Sequence, residues 1–281
     1  MGTGSNWSGV MRVMLAGSLA VIVVALTLPA AWSDDPLSRL KAAGVLRVAN
    51  TQASPPWSLL DERNQPAGYD IDVALDLARR LGIPKVSFIQ STFADFIPGV
   101  QSDRYDIVIS GQTITDERLK QVDFSVPYEV NGVAIFVGSS NQSLKTLADL
   151  SGRRIGVTAG GTQETFARES IPRADVRTYS NAILALTDLH VGRIDAALYS
   201  KFTGAFLAER HGLKVRPLPT LLNYEVNGMS FKKGQADLKA AVDNAVVAMI
   251  ADGTLTKISK KWLGGLDMAA DLTARGLVKV K

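Results

Sequence analysis

From Val45 onward, short apolar runs alternate with segments whose apolar residues recur at helical spacing. The runs Val45–Asn50, Val86–Gln90, Asp106–Ser110, Val133–Val137, Arg154–Thr158, Val176–Tyr179, Ala196–Tyr199, Lys214–Arg216 and Gly228–Phe231 read as strands. The intervals read as helices. In one, Ile71, Ala74, Leu75 and Ala78 share a face, Asp70 is placed to cap the start, Arg79 and Arg80 suit the last turn, and Gly82 with Pro84 ends it. Near the C-terminus Leu238, Ala241, Val242, Ala245, Val246 and Met249 form another stripe. Such stripes are core packing. Regular alternation of strand and helix predicts an α/β fold.

The first residues follow a different pattern. Arg12 precedes an apolar run from Val13 to Leu28, and small residues follow in PAAWSDD. A charged start, an apolar stretch and a small-residue end describe a secretory signal, cleaved after Ala31 or Ser33. The run is shorter than the roughly 20 residues of a spanning helix. Residues 1–33 are therefore set apart from the fold.

One pentapeptide occurs twice. YEVNG stands at Tyr128–Gly132 and again at Tyr224–Gly228. The repeat is either coincidence or a mark of two equivalent places where the chain passes between lobes. The second reading predicts lobe 1 at residues 34–130 plus 228–281 and lobe 2 at residues 131–227. Each is a normal domain size, and two short crossing segments make a hinge.

Composition narrows the chemistry. The 281 residues are 46% hydrophobic and 21% charged, an ordinary globular content. The net charge of +4 is scattered and forms no basic stripe, so nucleic acid is not an expected partner. The absence of cysteine removes disulfides, thiol nucleophiles, thiolate metal sites and a lipid-modified cysteine. Two histidines, His190 on a helix surface and His211 at a helix end, are too few for a histidine-built metal site. No nucleophile elbow or histidine–nucleophile pairing is present. Neither a catalytic residue, a metal nor a cofactor is expected.

Binding chemistry concentrates between Gly68 and Tyr128. The strand DIVIS gives way to Ser110, Gly111, Gln112 and Thr113, and a helix starts at Thr115 with Arg118 just inside it. A strand end, small hydroxyl residues and a helix start present backbone donors to an anion at a sheet edge. A cation is unfavourable at that helix start unless an anion faces it, and an arginine fork matches a carboxylate. Pairing with Asp116 or Glu117 is the plainer reading of Arg118. Further on, Gly160, Gly161, Thr162 and Gln163 follow the strand RRIGVTA. The stretch GVTAGGT lacks a phosphate-loop lysine, which argues against a nucleotide.

Several motifs in order, GYDIDVALDLARRLG, ITDER after DIVIS, DFSVPY, GGTQETF, GRIDAAL and ADGTLTKISKKWLG, resemble the family 3 extracellular solute-binding proteins, the periplasmic receptors of ABC importers for polar amino acids. The resemblance runs from Leu46 to Gly264. It implies a two-lobed periplasmic-binding-protein-like (type II) fold, two open α/β sheets joined by two hinge segments. It implies a soluble periplasmic monomer that closes on a carboxylate-bearing solute, an amino acid or derivative, and engages a membrane permease. Arg118, Ser110, Gly111 and Thr113 would hold the carboxylate from one lobe, and Gly161, Thr162 and Gln163 from the other. Phe93 and Trp57 would be the aromatic contacts, with core packing as the alternative for each.

Two departures from the family pattern bear on the ligand. Ser54 stands where a second aromatic is usual. Ser200 replaces the aspartate that holds the α-ammonium, and Thr51 replaces a further acid. Glu129, Glu225 or Asp61 could substitute, or the first two are hinge surface residues. The rival functions are a cyclohexadienyl dehydratase-like enzyme on the same fold, and an accessory or sensor protein for another ligand.

Overall fold

The structure is a computed structural model that describes Met1 and residues 35–279. The expected signal segment lies outside the described residues. Among the described residues no helix is long and apolar enough to cross a membrane.

Strands and helices follow in the order α1 (Pro36–Ala43), β1 (Val45–Asn50), β2 (Ala53–Ser54), β3 (Ser58–Leu60), β4 (Pro66–Ala67), α2 (Tyr69–Leu81), β5 (Lys85–Gln90), α3 (Phe96–Gln101), β6 (Ile107–Thr113), α4 (Asp116–Leu119), β7 (Val122–Phe124) and β8 (Glu129–Gly138). The second half contains β9 (Arg154–Thr158), α5 (Thr162–Ser170), β10 (Asp175–Tyr179), α6 (Ala182–His190), β11 (Ala196–Ser200), α7 (Lys201–Arg210), β12 (Val215–Lys232), α8 (Ala236–Ala251), α9 (Thr254–Trp262) and α10 (Met268–Ala274). The spatial order is β10-β9-β11-β8-β12-β6-β1-β5, with β7 beside β12. Strands β5, β1 and β6 are mutually parallel, as are β10, β9 and β11. The antiparallel pair β8–β12 joins the two parallel halves. Short β2, β3 and β4 form a separate antiparallel sheet, absent from the sequence expectation because such short strands carry no periodicity.

Buried side chains sort by chain segment. Two core clusters draw on residues between Leu46 and Val130 and between Met229 and Val278. Two others draw only on residues between Ala134 and Leu218. Apart from Phe202, which packs against the first cluster from the second segment, the cores stay separate, as a two-lobed molecule requires.

Three local expectations need correction. Lys214–Arg216 and Gly228–Phe231 mark the two ends of one strand, β12, whose middle does not read as strand because Pro217 and Pro219 interrupt it. Leu75 is half exposed, and Val73 and Leu77 fill the core face of α2 instead. Asp70 caps nothing. Gly68 is the N-cap of α2, without a side-chain cap bond. The first amides of α2 are satisfied by the preceding loop: the Tyr69 and Asp70 N–H groups donate to the Pro56 and Trp57 carbonyls at 3.0 and 2.9 Å. Only glycine permits this approach. Gly68 has φ 128°, and a Cβ there would lie 2.2 Å from the Trp57 carbonyl oxygen. The Asp70 side chain turns inward and is fully buried.

Candidate functional site

The carboxyl ends of β6 and β9 face a common cleft with a cavity of about 80 Å³. Its floor is the β8–β12 ladder, where the two YEVNG copies pair with each other. Gly132 lies opposite Tyr224, Asn131 opposite Glu225, Val130 opposite Val226 and Glu129 opposite Asn227. The Tyr128 N–H donates to the Asn227 carbonyl at 3.1 Å. Side chains alternate along a strand, so Glu129, Asn131, Glu225 and Asn227 share one face. Glu129, Asn131 and Glu225 line the cavity.

The two glutamates have different surroundings. Glu225 is buried, at 8% exposure. It accepts from the Thr162 hydroxyl and from Gln163 Nε2 at 2.8 Å. Burial raises its pKa, opposed by the Thr162 bond, the Arg118 charge and bonds from Thr113 and Gln163. The donors that sequence assigned to a ligand carboxylate thus converge on a carboxylate of the protein itself. Glu129 is fully buried. Its Oε1 accepts from Asn227 Nδ2 at 3.0 Å, while Oε2 has no partner. Burial, and then the Asp70 charge, hold its carboxyl well above the usual range.

Asp70 lies beneath. Its Oδ1 accepts from the Tyr128 hydroxyl at 2.8 Å, and that hydroxyl accepts from the Gly111 N–H at 2.9 Å. Oδ2 is unpartnered. Burial pushes its pKa up to about 7, against the Tyr128 bond. Desolvation disfavours the charged form of a buried acid.

Arg118 stands at the mouth of this arrangement. Thr115 caps its helix, accepting from the Arg118 N–H at 3.3 Å. The guanidinium donates to the Thr113 carbonyl at 2.8 Å and, across the cleft, to the Gly160 carbonyl at 3.0 Å. It does not line the cavity. It acts on the cavity through the charge it presents to Glu225. Asp116 and Glu117 do not accept from it.

The other candidates come together at the cavity wall. Ser110, Gly111 and Thr113 line it from β6, and Gly161, Thr162 and Gln163 from the start of α5. The Ser110 hydroxyl accepts from the Thr51 N–H at 3.3 Å. Ser54 lines the wall and accepts from the Thr51 hydroxyl at 2.9 Å. Trp57 packs edge-on against Tyr69 and Phe202, with centroids 5.5 and 5.8 Å away, and reaches the cavity with an edge. Phe93 leans on Phe96 and lines the opening. Ser200 caps α7, accepting from the Thr203 N–H at 3.4 Å, and donates to Asn131 Oδ1 at 2.8 Å. Asp61 lies apart, holding the Arg63 and Gln65 amides of its own turn at 2.8 Å each. Sequence reasoning missed Asn131 and the buried Asp70. Period-two alternation from Glu129 would have found the first. Nothing local distinguishes the second from a cap. Among the described residues no group of three or more acidic or histidine side chains is placed to hold a metal.

A strand-edge cleft lined by hydroxyls, amide donors and a buried acid pair, set between two separately cored halves, defines a solute receptor. Residues 46–265 match the family model of bacterial extracellular solute-binding proteins, family 3, and the chain belongs to that family. It is 33% identical over 255 residues to the L-cystine-binding protein TcyJ of Escherichia coli (strain K12), covering 90% of this chain and 96% of that protein. It is 31% identical over 230 residues to ABC transporter arginine-binding protein 1 of the same organism, covering 79% and 91%. Among solved structures, the ancestral amino acid-binding protein AncCDT-1, a precursor of cyclohexadienyl dehydratase, superposes with a TM-score of 0.74 at 36% identity, covering 80% of this chain and 98% of that one.

Proposed function

We propose that this chain is the periplasmic receptor of an ABC importer and closes on one small amino acid or derivative. The observation that carries the reading is the small cavity walled by Ser110, Gly111 and Thr113 from β6 and by Gly161, Thr162 and Gln163 from the start of α5. A ligand gripped from both lobes stabilises the closed state by its differential affinity for that state. The relatives named above are binding proteins for cystine and arginine, which supports the amino-acid class. The lobes are read as residues 34–130 with 228–281, and 131–227. The leader at residues 1–33 would be removed on export, and a monomer would present the closed form to the permease.

The test is a thermal-shift and calorimetric screen of amino acids on the mature chain. A ligand at about 100 times its dissociation constant adds about 2.7 kcal/mol of stability. Arg118→Ala should weaken the best ligand by about 2 kcal/mol or more, and Arg118→Lys should weaken it too, because lysine lacks the fork. Unchanged affinity in both variants refutes the carboxylate clamp. Turnover of a cyclohexadienyl substrate in place of saturable binding refutes the receptor reading.

A further inference from the structure

The cavity carries an imbalance of charge. Among the described residues lining it, two are acidic and none is basic. Glu225 is already provided for, by Thr162, Gln163 and the charge of Arg118. Glu129 is not. Fully buried, it has Asn227 on one oxygen and nothing on the other. Its charged neighbours from the elements packed around it are the carboxyls of Asp70 and Glu225, with the hydroxyls of Tyr69 and Tyr128 beside them. The two carboxyls disfavour a negative charge there, the Asn227 and Tyr128 side chains ease it, and none of these neighbours brings a positive charge.

Gly111 packs directly against the Glu129 carboxyl. Gly111 has φ 55°, and a Cβ at that position would sit 3.2 Å from Glu129 Oε2 and 3.5 Å from Oε1. With no side chain at Gly111, a ligand group can come close to the Gly111 backbone on the side of Glu129. A buried carboxylate without a cation is costly, and pairing it removes the cost. An ammonium brings both the missing charge and a donor for Oε2.

We infer that Glu129 is the cation-recognition residue of the cleft and selects ligands bearing an ammonium group next to Gly111. This rests on the reading of the cleft as the amino-acid site, and assigns the ammonium to Glu129 rather than Glu225.

The test is calorimetry on the mature chain and on Glu129→Gln, which keeps the side-chain shape and the contact with Asn227. The probes are L-cystine beside dithiodipropionate, L-glutamine beside glutaramate, and butylamine. In the wild type the amino forms should bind about 30-fold or more tightly than their deaminated partners. In Glu129→Gln that ratio should collapse toward one. Binding of butylamine that is lost in Glu129→Gln supports the inference. Equal affinity for amino and deaminated forms in the wild type overturns the inference and leaves a carboxylate receptor. A large preference that survives Glu129→Gln also overturns it. Failure of every probe overturns both.

Discussion

Asp70→Asn should change how the stability of this protein depends on pH. In the folded state the Asp70 carboxyl is fully buried, with one oxygen on the Tyr128 hydroxyl at 2.8 Å and the other unpartnered. Its pKa stands at about 7, against an ordinary value of 3.8. A raised pKa means that folding favours the protonated form. The stabilisation is fully present below the unfolded pKa and is lost as pH rises through about 7. With one pKa unit worth ~1.36 kcal/mol, the wild type should lose as much as about 4 kcal/mol from this group between about pH 4 and pH 8. The asparagine cannot ionise. Its amide leaves an unpartnered NH2 group in place of the bare oxygen, a constant cost of about 1–3 kcal/mol at every pH. The variant is therefore less stable than wild type in acid and gains on it as pH rises. Urea unfolding of ligand-free protein at several pH values measures this difference directly. A wild-type-minus-variant stability that stays flat across the range would show that Asp70 titrates normally, and the account of the buried acid pair would fail with it.

Two further outcomes are expected. Gly68→Ala should destabilise the protein by about 3 kcal/mol or more in the same unfolding assay, because the methyl meets the Trp57 carbonyl at a φ that L residues avoid; a loss under ~1 kcal/mol would mean that the loop can move away. Tyr128→Phe should cost about 2 kcal/mol or more by leaving the Gly111 N–H and Asp70 Oδ1 unpartnered, and should raise the Asp70 pKa further, seen as a later loss of stability on raising pH.

The strand and helix order was legible because each strand lobe buries its sheet and leaves an apolar run. The walls of the cleft were legible for a related reason: Ser110, Thr113, Thr162 and Gln163 sit at strand ends and helix starts, where sequence and topology coincide. The partners of Arg118 were not legible, since the carbonyls of Thr113 and Gly160 carry no sequence signal. Asp70 was misread because an acid in a first helical turn looks like a cap wherever it points. Its inward turn depends on contacts with Tyr128, far along the chain. Leu75 was misassigned because one apolar residue can lie at the edge of a stripe in a helix whose core face is fixed by the sheet beneath it.

The self-paired YEVNG ladder has a consequence for how opening of the cleft would register in amide exchange. The crossing segments are paired strand on strand, so a change in lobe angle can be taken up as twist along β8 and β12 with their hydrogen bonds intact. Of the contacts at the rim, the one that must break is that of the Arg118 guanidinium with the Gly160 carbonyl, since it joins residues of the two lobes. Amides at residues 129–131 and 225–227 should therefore remain protected from deuterium with or without ligand. Those at 162 and 163, at the start of α5, should exchange freely in the ligand-free protein and slow on binding, which places protected backbone at the point of bending.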